Sequence, residues 1–131
     1  MIFLDTDTIS YYFAGNNKIK EKIIETMDTG EQICLTAINV YEVLKGLKWR
    51  NNKNKEEQFN EFLQNIRVYT LDDGSISNAA DIYADLRRNG ITIGDADILI
   101  AGIVINNNGT LITNNTQHYQ GIKKLRLKNW I

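Results

Sequence analysis

The order of patterns along this chain predicts an α/β fold, a parallel sheet covered on both faces by helices. Short apolar runs that end in polar turn residues alternate with longer stretches whose apolar residues recur at helical spacing. Such alternation implies right-handed crossovers, which bring successive strands into a sheet in parallel. The 131 residues hold no internal repeat and no linker, so a single domain over 1–131 is expected.

Ile2-Phe3-Leu4 reads as a short buried strand that runs straight into Asp5, Thr6 and Asp7. A helix pattern follows from Ile9 to Phe13 and is broken by Gly15-Asn16-Asn17. Ile19, Ile23, Ile24 and Met27 mark a second helix, closed by Asp28-Thr29-Gly30. Ile33-Cys34-Leu35 is a second strand, and Thr36 is placed to cap a helix reaching about Trp49. The segment from Arg50 to Glu57 is polar and reads as a loop, ahead of a helix striped by Phe59, Phe62, Leu63 and Ile66. Val68 to Leu71 is a third strand, ended by Asp72-Asp73-Gly74. Ile76, Ala79, Ala80, Tyr83 and Leu86 mark a helix that stops at Asn89-Gly90. Asp95 to Asn106 is the most apolar helix, polar only at its start. Thr110 to Thr113 supplies a fourth strand, and the tail a fifth around Leu125 to Leu127.

Composition narrows the function classes. Hydrophobic residues make up 43% and charged residues 24%, a globular balance that argues against disorder. With a net charge of -1, no global positive field attracts nucleic acid, so any such contact must come from a local basic patch. The single cysteine, Cys34, cannot form an internal disulfide and reads as a small buried hydrophobe, which fits a reducing, cytoplasmic setting. No signal-peptide pattern opens the chain, and no apolar run approaches the ~20 residues of a membrane span, so no membrane contact is expected.

The acids carry the candidate chemistry. Asp5 sits at the carboxyl end of a strand, where open α/β sheets bind their ligands; the alternative is that Asp5 or Asp7 merely caps the next helix. Glu42 lies mid-helix among Tyr41, Val43 and Leu44, so it either has a polar partner or faces outward with Lys45. Gly94-Asp95 makes a natural cap and leaves Asp97 in the first turn, facing free backbone N–H groups. Thr110 to Asn115 repeats the opening pattern, an apolar strand followed by ligand-capable side chains. Strand ends and helices that all deliver oxygen ligands suit Mg²⁺ or Mn²⁺, and such a site suits phosphodiester hydrolysis.

Leu4-Asp5-Thr6, Leu35-Thr36-Ala37-Ile38 with Glu42-Val43-Leu44 and Gly46, and Ile93-Gly94 with Asp97-Ile98-Leu99-Ile100-Ala101 resemble three motifs of the PIN-domain nucleases. Leu111 to Tyr119 and the closing Leu127-Lys128-Asn129-Trp130 resemble the C-terminal end of the VapC toxins within that family. The resemblance covers essentially the whole chain, in order and spacing. It implies a three-layer α/β/α sandwich around a mostly parallel sheet. It implies a Mg²⁺-dependent endoribonuclease, with Mn²⁺ as a possible substitute, that is the toxin of a type II toxin–antitoxin pair. A homodimer silenced by a VapB-type antitoxin is implied with it.

Carried over residue by residue, Asp5 and Asp97 match the principal metal ligands and Glu42 the third catalytic acid. The fourth acidic position falls at Asn115, which can accept through its carbonyl oxygen but brings no charge. Asp7 stands where the family commonly has Asn, and is expected to tune Asp5 while also serving as a cap. Asp95 is expected as a cap or supporting residue, and Thr6 and Thr113 as hydroxyls that orient the carboxylates. His118 lies past the motif and is expected to be structural or superficial. Lys45, Lys48 and Arg50 are the expected RNA contacts, with Trp49, Tyr11 and Tyr12 available to stack on unpaired bases. Lys123 to Lys128 is expected to be an exposed edge. Two competing readings remain at this stage, a non-catalytic PIN-like module that binds RNA or protein, and a DNA nuclease.

Overall fold

The computed structural model describes all 131 residues. In chain order they form β1 (Ile2–Leu4), α1 (Thr6–Phe13), α2 (Asn17–Asp28), β2 (Ile33–Thr36), α3 (Ala37–Trp49) and α4 (Lys53–Leu63). These are followed by β3 (Arg67–Tyr69), α5 (Asp73–Arg88), α6 (Asp95–Asn106), β4 (Thr110–Ile112), α7 (Thr116–Tyr119) and β5 (Arg126–Lys128).

The sheet has the order β3-β2-β1-β4-β5, and every pairing in it is parallel. Ile2 pairs with Ile33 on one side and Thr110 on the other, so β1 is the central strand. Alternation along buried strands sends successive side chains to opposite faces. Phe3, Cys34 and Leu111 therefore enter one core, packed under α5 and α6 through Ala79, Leu86, Ile100 and Ile103. Ile2, Leu4, Ile33, Leu35 and Ile112 enter the other, packed under α1 to α4 through Ile9, Ile19, Leu47 and Phe59. Two helical layers thus sandwich one sheet.

From β1 the chain crosses to β2 and β3; from β3 it returns across the other face to β4, on the far side of β1. The crevice between the carboxyl ends of β1 and β4 is therefore the point at which the strand order reverses, where α/β sheets bind ligands.

Three expectations needed correction. The polar segment from Arg50 to Glu57 is not a loop throughout: Asn52 caps α4, accepting from the Lys55 amide at 3.2 Å, and the helix starts at Lys53. Capping supplied the stop-and-start that composition concealed. The third strand lies at Arg67–Tyr69 rather than Val68–Leu71, because Asp72 is used to cap α5. A short helix, α7, forms where no helix was expected. No helix is long and apolar enough to cross a membrane.

Candidate active site

Asp5 leaves β1 and becomes the N-cap of α1, its Oδ1 accepting from the Thr6 amide at 3.0 Å. That oxygen also accepts from Asn39 Nδ2 at 2.9 Å, while Oδ2 accepts from the Tyr119 hydroxyl at 3.2 Å. The residue is 7% exposed. Burial pushes its carboxyl above the usual Asp range, and the charge of Asp7 adds to this, against the donors Thr113, Thr6 and Asn39.

Asp97 occupies the first turn of α6, as expected. Its Oδ1 accepts from the same Tyr119 hydroxyl at 3.0 Å, and its Oδ2 stands 2.6 Å from His118 Nε2. Asp5 and Asp97, from opposite ends of the chain, are thus brought to one oxygen atom. Burial and the two carboxylate charges push the Tyr119 phenol far up, which keeps it a donor.

Glu42 faces inward and does not pair with Lys45. Its Oε1 accepts from Thr6 Oγ1 at 2.8 Å, and Thr6 Oγ1 in turn accepts from Asn39 Nδ2 at 3.0 Å. Asn39 is fully buried, and its carbonyl oxygen accepts from Thr36 Oγ1 at 2.7 Å. Its amide group therefore spends one hydrogen on Asp5 and the other on Thr6, which fixes the spacing between the first and third acids. Thr36 also caps α3 by accepting from the Asn39 amide at 3.1 Å, as its position predicted.

The cap expected of Asp7 falls to Asp5 instead, while the charge of Asp7 raises the Asp5 carboxyl as expected. Asp5 is the cap, whereas Asp7 lies within α1 and ties it to the end of β4. Its Oδ1 accepts from the Thr8 amide at 2.7 Å and its Oδ2 from the Asn114 amide at 2.9 Å. Thr113 Oγ1 lies 3.4 Å from Asp7 Oδ2 and accepts from the Asn115 amide at 3.0 Å. The Asn115 side chain makes no capping bond at α7 and stays exposed. Asp95 is exposed at the start of α6; Gly94 is the cap residue, and no side chain caps this helix.

The three cations diverge. Lys48 pairs with Glu56 at 2.9 Å, and Lys45 lies over the Tyr41 ring, 5.1 Å from its centroid. Arg50 falls on the same face of α3 as Glu42, eight residues on, and lines a cavity of about 250 Å³ with Glu42 and Thr6. Trp49 is 88% exposed, while Tyr12 packs edge-on to Phe13 in the aromatic group with Phe62. A second cavity of about 220 Å³, between α5 and Gly121–Lys124, contains Asp81 and Asp85 but none of the converging acids.

Sequence reasoning missed Asn39 and Tyr119, and set His118 aside as structural or superficial although it contacts Asp97. Asn39 carried a signal, since the third residue after a Thr cap is placed to reach back toward it. His118 and Tyr119 carried none, because their contacts with Asp97 and Asp5 span 21 and 114 residues.

The donor set fits a hard divalent cation. A phenol has one proton, yet two carboxylates converge on Tyr119, so one of the two oxygen contacts is left without a hydrogen. Asp5 and Asp97 are the residues that would hold the ion. No three Asp, Glu, His or Cys side chains are grouped around one point, so Glu42 reaches the centre through Thr6 rather than as a third direct ligand.

Comparison with known proteins agrees with this fold. The family model described as "PIN domain" matches residues 2–124. Ribonuclease VapC1 of Methanocaldococcus jannaschii is 30% identical, over 97% of this chain and 85% of its own length. The tRNA(fMet)-specific endonuclease VapC of Salmonella typhimurium is 26% identical, over 97% and 96%. Among solved structures, VapBC2 from Rickettsia felis bound to a promoter DNA fragment superposes with a TM-score of 0.91 at 25% identity, covering 100% of both chains. The VapBC-1 structure from nontypeable Haemophilus influenzae gives 0.86 at 25% identity, covering 99% and 98%. With the match spanning nearly all of the chain, and Asp5, Glu42 and Asp97 linked in the crevice where its strand order reverses, the protein belongs to the PIN-domain family, among the VapC proteins.

Proposed function

We propose that the protein is a Mg²⁺-dependent endoribonuclease and the toxic half of a toxin–antitoxin pair, acting in the cytoplasm. The single observation that carries this reading is the convergence of Asp5 and Asp97 on one phenol oxygen, with Glu42 connected to the same network. The names of the relatives, ribonucleases and a tRNA-specific endonuclease, support the substrate class. Asp5 and Asp97 would hold Mg²⁺, or Mn²⁺ in its place, which when bound would supply screening of the phosphate charge and a more acidic water. Glu42, held by Thr6, orients and receives a proton from the attacking water. Asn39 sets the separation of Glu42 and Asp5, and Asp7 with Thr113 anchors the β4 end of the crevice. Asn115 and Asp95, both exposed, serve in this reading as uncharged and charged supporting groups. Lys45, Lys48 and Arg50 neutralise RNA phosphates, and Lys48 must leave Glu56 to do so. The solved neighbours are VapBC complexes, which supports a VapB-type antitoxin as partner; a homodimer is the working form in this reading.

Incubating the protein with RNA in Mg²⁺, Mn²⁺ or a chelator tests this reading. Cleavage that requires the metal and disappears in Asp97→Asn is the expected result. A folded wild type that binds no Mn²⁺ by calorimetry and cuts no RNA would instead be a non-catalytic module.

A further inference from the structure

The cavity beside the acids has a construction that the hydrolysis itself does not require. Glu42, Gly46 and Arg50 fall at four-residue steps on α3 and form one wall, rising along about two helical turns. Ser10 and Phe13 of α1 face them, and Phe59 closes the floor. Gly46 is what gives this wall its room: a methyl group there would meet only the Arg50 guanidinium, at 3.4 Å. Arg50 therefore folds back over the glycine. Arg50 and Lys55 mark the edge, and neither is paired with a carboxylate, in contrast to Lys48. At its other end the cavity shares Thr6 and Glu42 with the catalytic network.

We propose that this cavity is a nucleotide subsite: it takes the unpaired base next to the cleaved phosphodiester, with Arg50 and Lys55 on that nucleotide's phosphate. The inference rests on the ribonuclease reading for its occupant. Hydroxyl groups, the half-buried Phe13 ring and two free cations at the edge match what single-stranded RNA offers, a flat base with polar edges and an anionic backbone. Continuity with Glu42 puts the base directly beside the reacting phosphate. Since a base must leave its stack to enter, the subsite selects single-stranded positions and contributes to the choice of cut site.

Amide chemical-shift titration of the metal-free protein with the four nucleoside 5′-monophosphates, and with ribose 5-phosphate, tests the subsite without catalysis. Shifts are expected at Ser10, Val43, Gly46 and Arg50, with ribose 5-phosphate binding about tenfold more weakly, the loss of one stacking contact. Gly46→Leu fills the cavity and removes the base-dependent part; Arg50→Ala weakens every nucleotide. Should Gly46→Leu fail to fold, Ser10→Trp fills the same space from the exposed side. Equal binding of ribose 5-phosphate and nucleotides would reduce the cavity to an anion site and overturn the proposal. So would shifts with N-acetyltryptophanamide but with no nucleotide, which would mark a pocket for a partner's side chain, or no shifts with any probe. In cleavage, a base-free residue beside the cut slows the wild type and leaves Gly46→Leu insensitive to the change. Cleavage equally indifferent to that residue in both proteins overturns the subsite alone. Nucleotide binding without any RNA cleavage overturns the ribonuclease reading alone.

Discussion

One proton on the Tyr119 hydroxyl faces two carboxylates, and the behaviour of the site without metal follows from that shortage. Asp5 is raised chiefly by burial, so the folded chain holds its proton more tightly than the unfolded chain does. Stability contributed by the protonated form is then present in acid. It is lost as pH rises from the ordinary Asp value of 3.8 through the raised folded value, and the penalty persists at neutrality. Asp5→Asn removes the penalty. Its amide can donate to the Tyr119 oxygen, which then donates to Asp97, while its carbonyl keeps the Thr6 and Asn39 donors. We expect this variant to lose cleavage altogether, yet to melt higher than wild type in chelator at neutral pH, by roughly 4 °C for each kcal/mol relieved. The gain should vanish near pH 3, and thermal melts across pH read it directly. Tyr119→Phe keeps the buried ring but removes the only donor between the acids. It should destabilise the metal-free protein by about 1–2 kcal/mol and enlarge the rise in Tm on adding Mn²⁺.

At the scale of elements, α6 does two jobs that constrain each other. It is apolar around most of its circumference because it is sunk between the sheet and α5, and only its first turn is free to present Asp97. Gly102 sets how closely it lies on α5: a Cβ there would stand 2.7 Å from the Ser75 carbonyl and 2.9 Å from the Ala79 Cβ. Because that clash involves backbone, Gly102→Val should destabilise by about 3 kcal/mol, measured by urea unfolding, and weaken cleavage by displacing Asp97. At α4, by contrast, Asn52→Ala removes a cap on an exposed helix start, and about 1 kcal/mol of stability with no change in metal binding is expected. The start of α4 was missed from the sequence because a polar run with one apolar stripe reads as a loop until the capping bond is known. Thr36 was legible as a cap because an apolar helix begins immediately after it.

At the scale of the molecule, β1 in the centre and β4 beside it bring Asp5 and Thr113 to one crevice, and the crossover through α6 delivers Asp97 to the same place. The same topology leaves β5 as an edge strand with Arg126 and Lys128 exposed, which matches the reading of that basic run. Exposed Trp49 and Tyr41, with Lys45 between them, give α3 an aromatic strip on its outer side. Sedimentation equilibrium should report a dimer, and its dissociation on substituting Trp49→Glu would assign that strip to the dimer contact; a dimer unaffected by the change leaves the strip to RNA or the antitoxin.

The parallel α/β architecture and the order of its elements apart from α7 were legible in the chain, since strand and helix periodicity and turn residues are local signals; the three acids were singled out together by the family resemblance. The link between Asp5 and Asp97 was not legible. Tyr119 and His118 meet the acids through contacts between residues far apart in sequence, and no local pattern encodes a hydrogen bond of that reach. The division between Arg50, beside the acids, and Lys45 and Lys48, committed elsewhere, was likewise decided by which face of α3 packs inward. The cap passed from Asp7 to Asp5 for the same reason. A cap is set by one backbone turn, whereas a carboxylate's partners are set by whichever chain segments the sheet brings beside it.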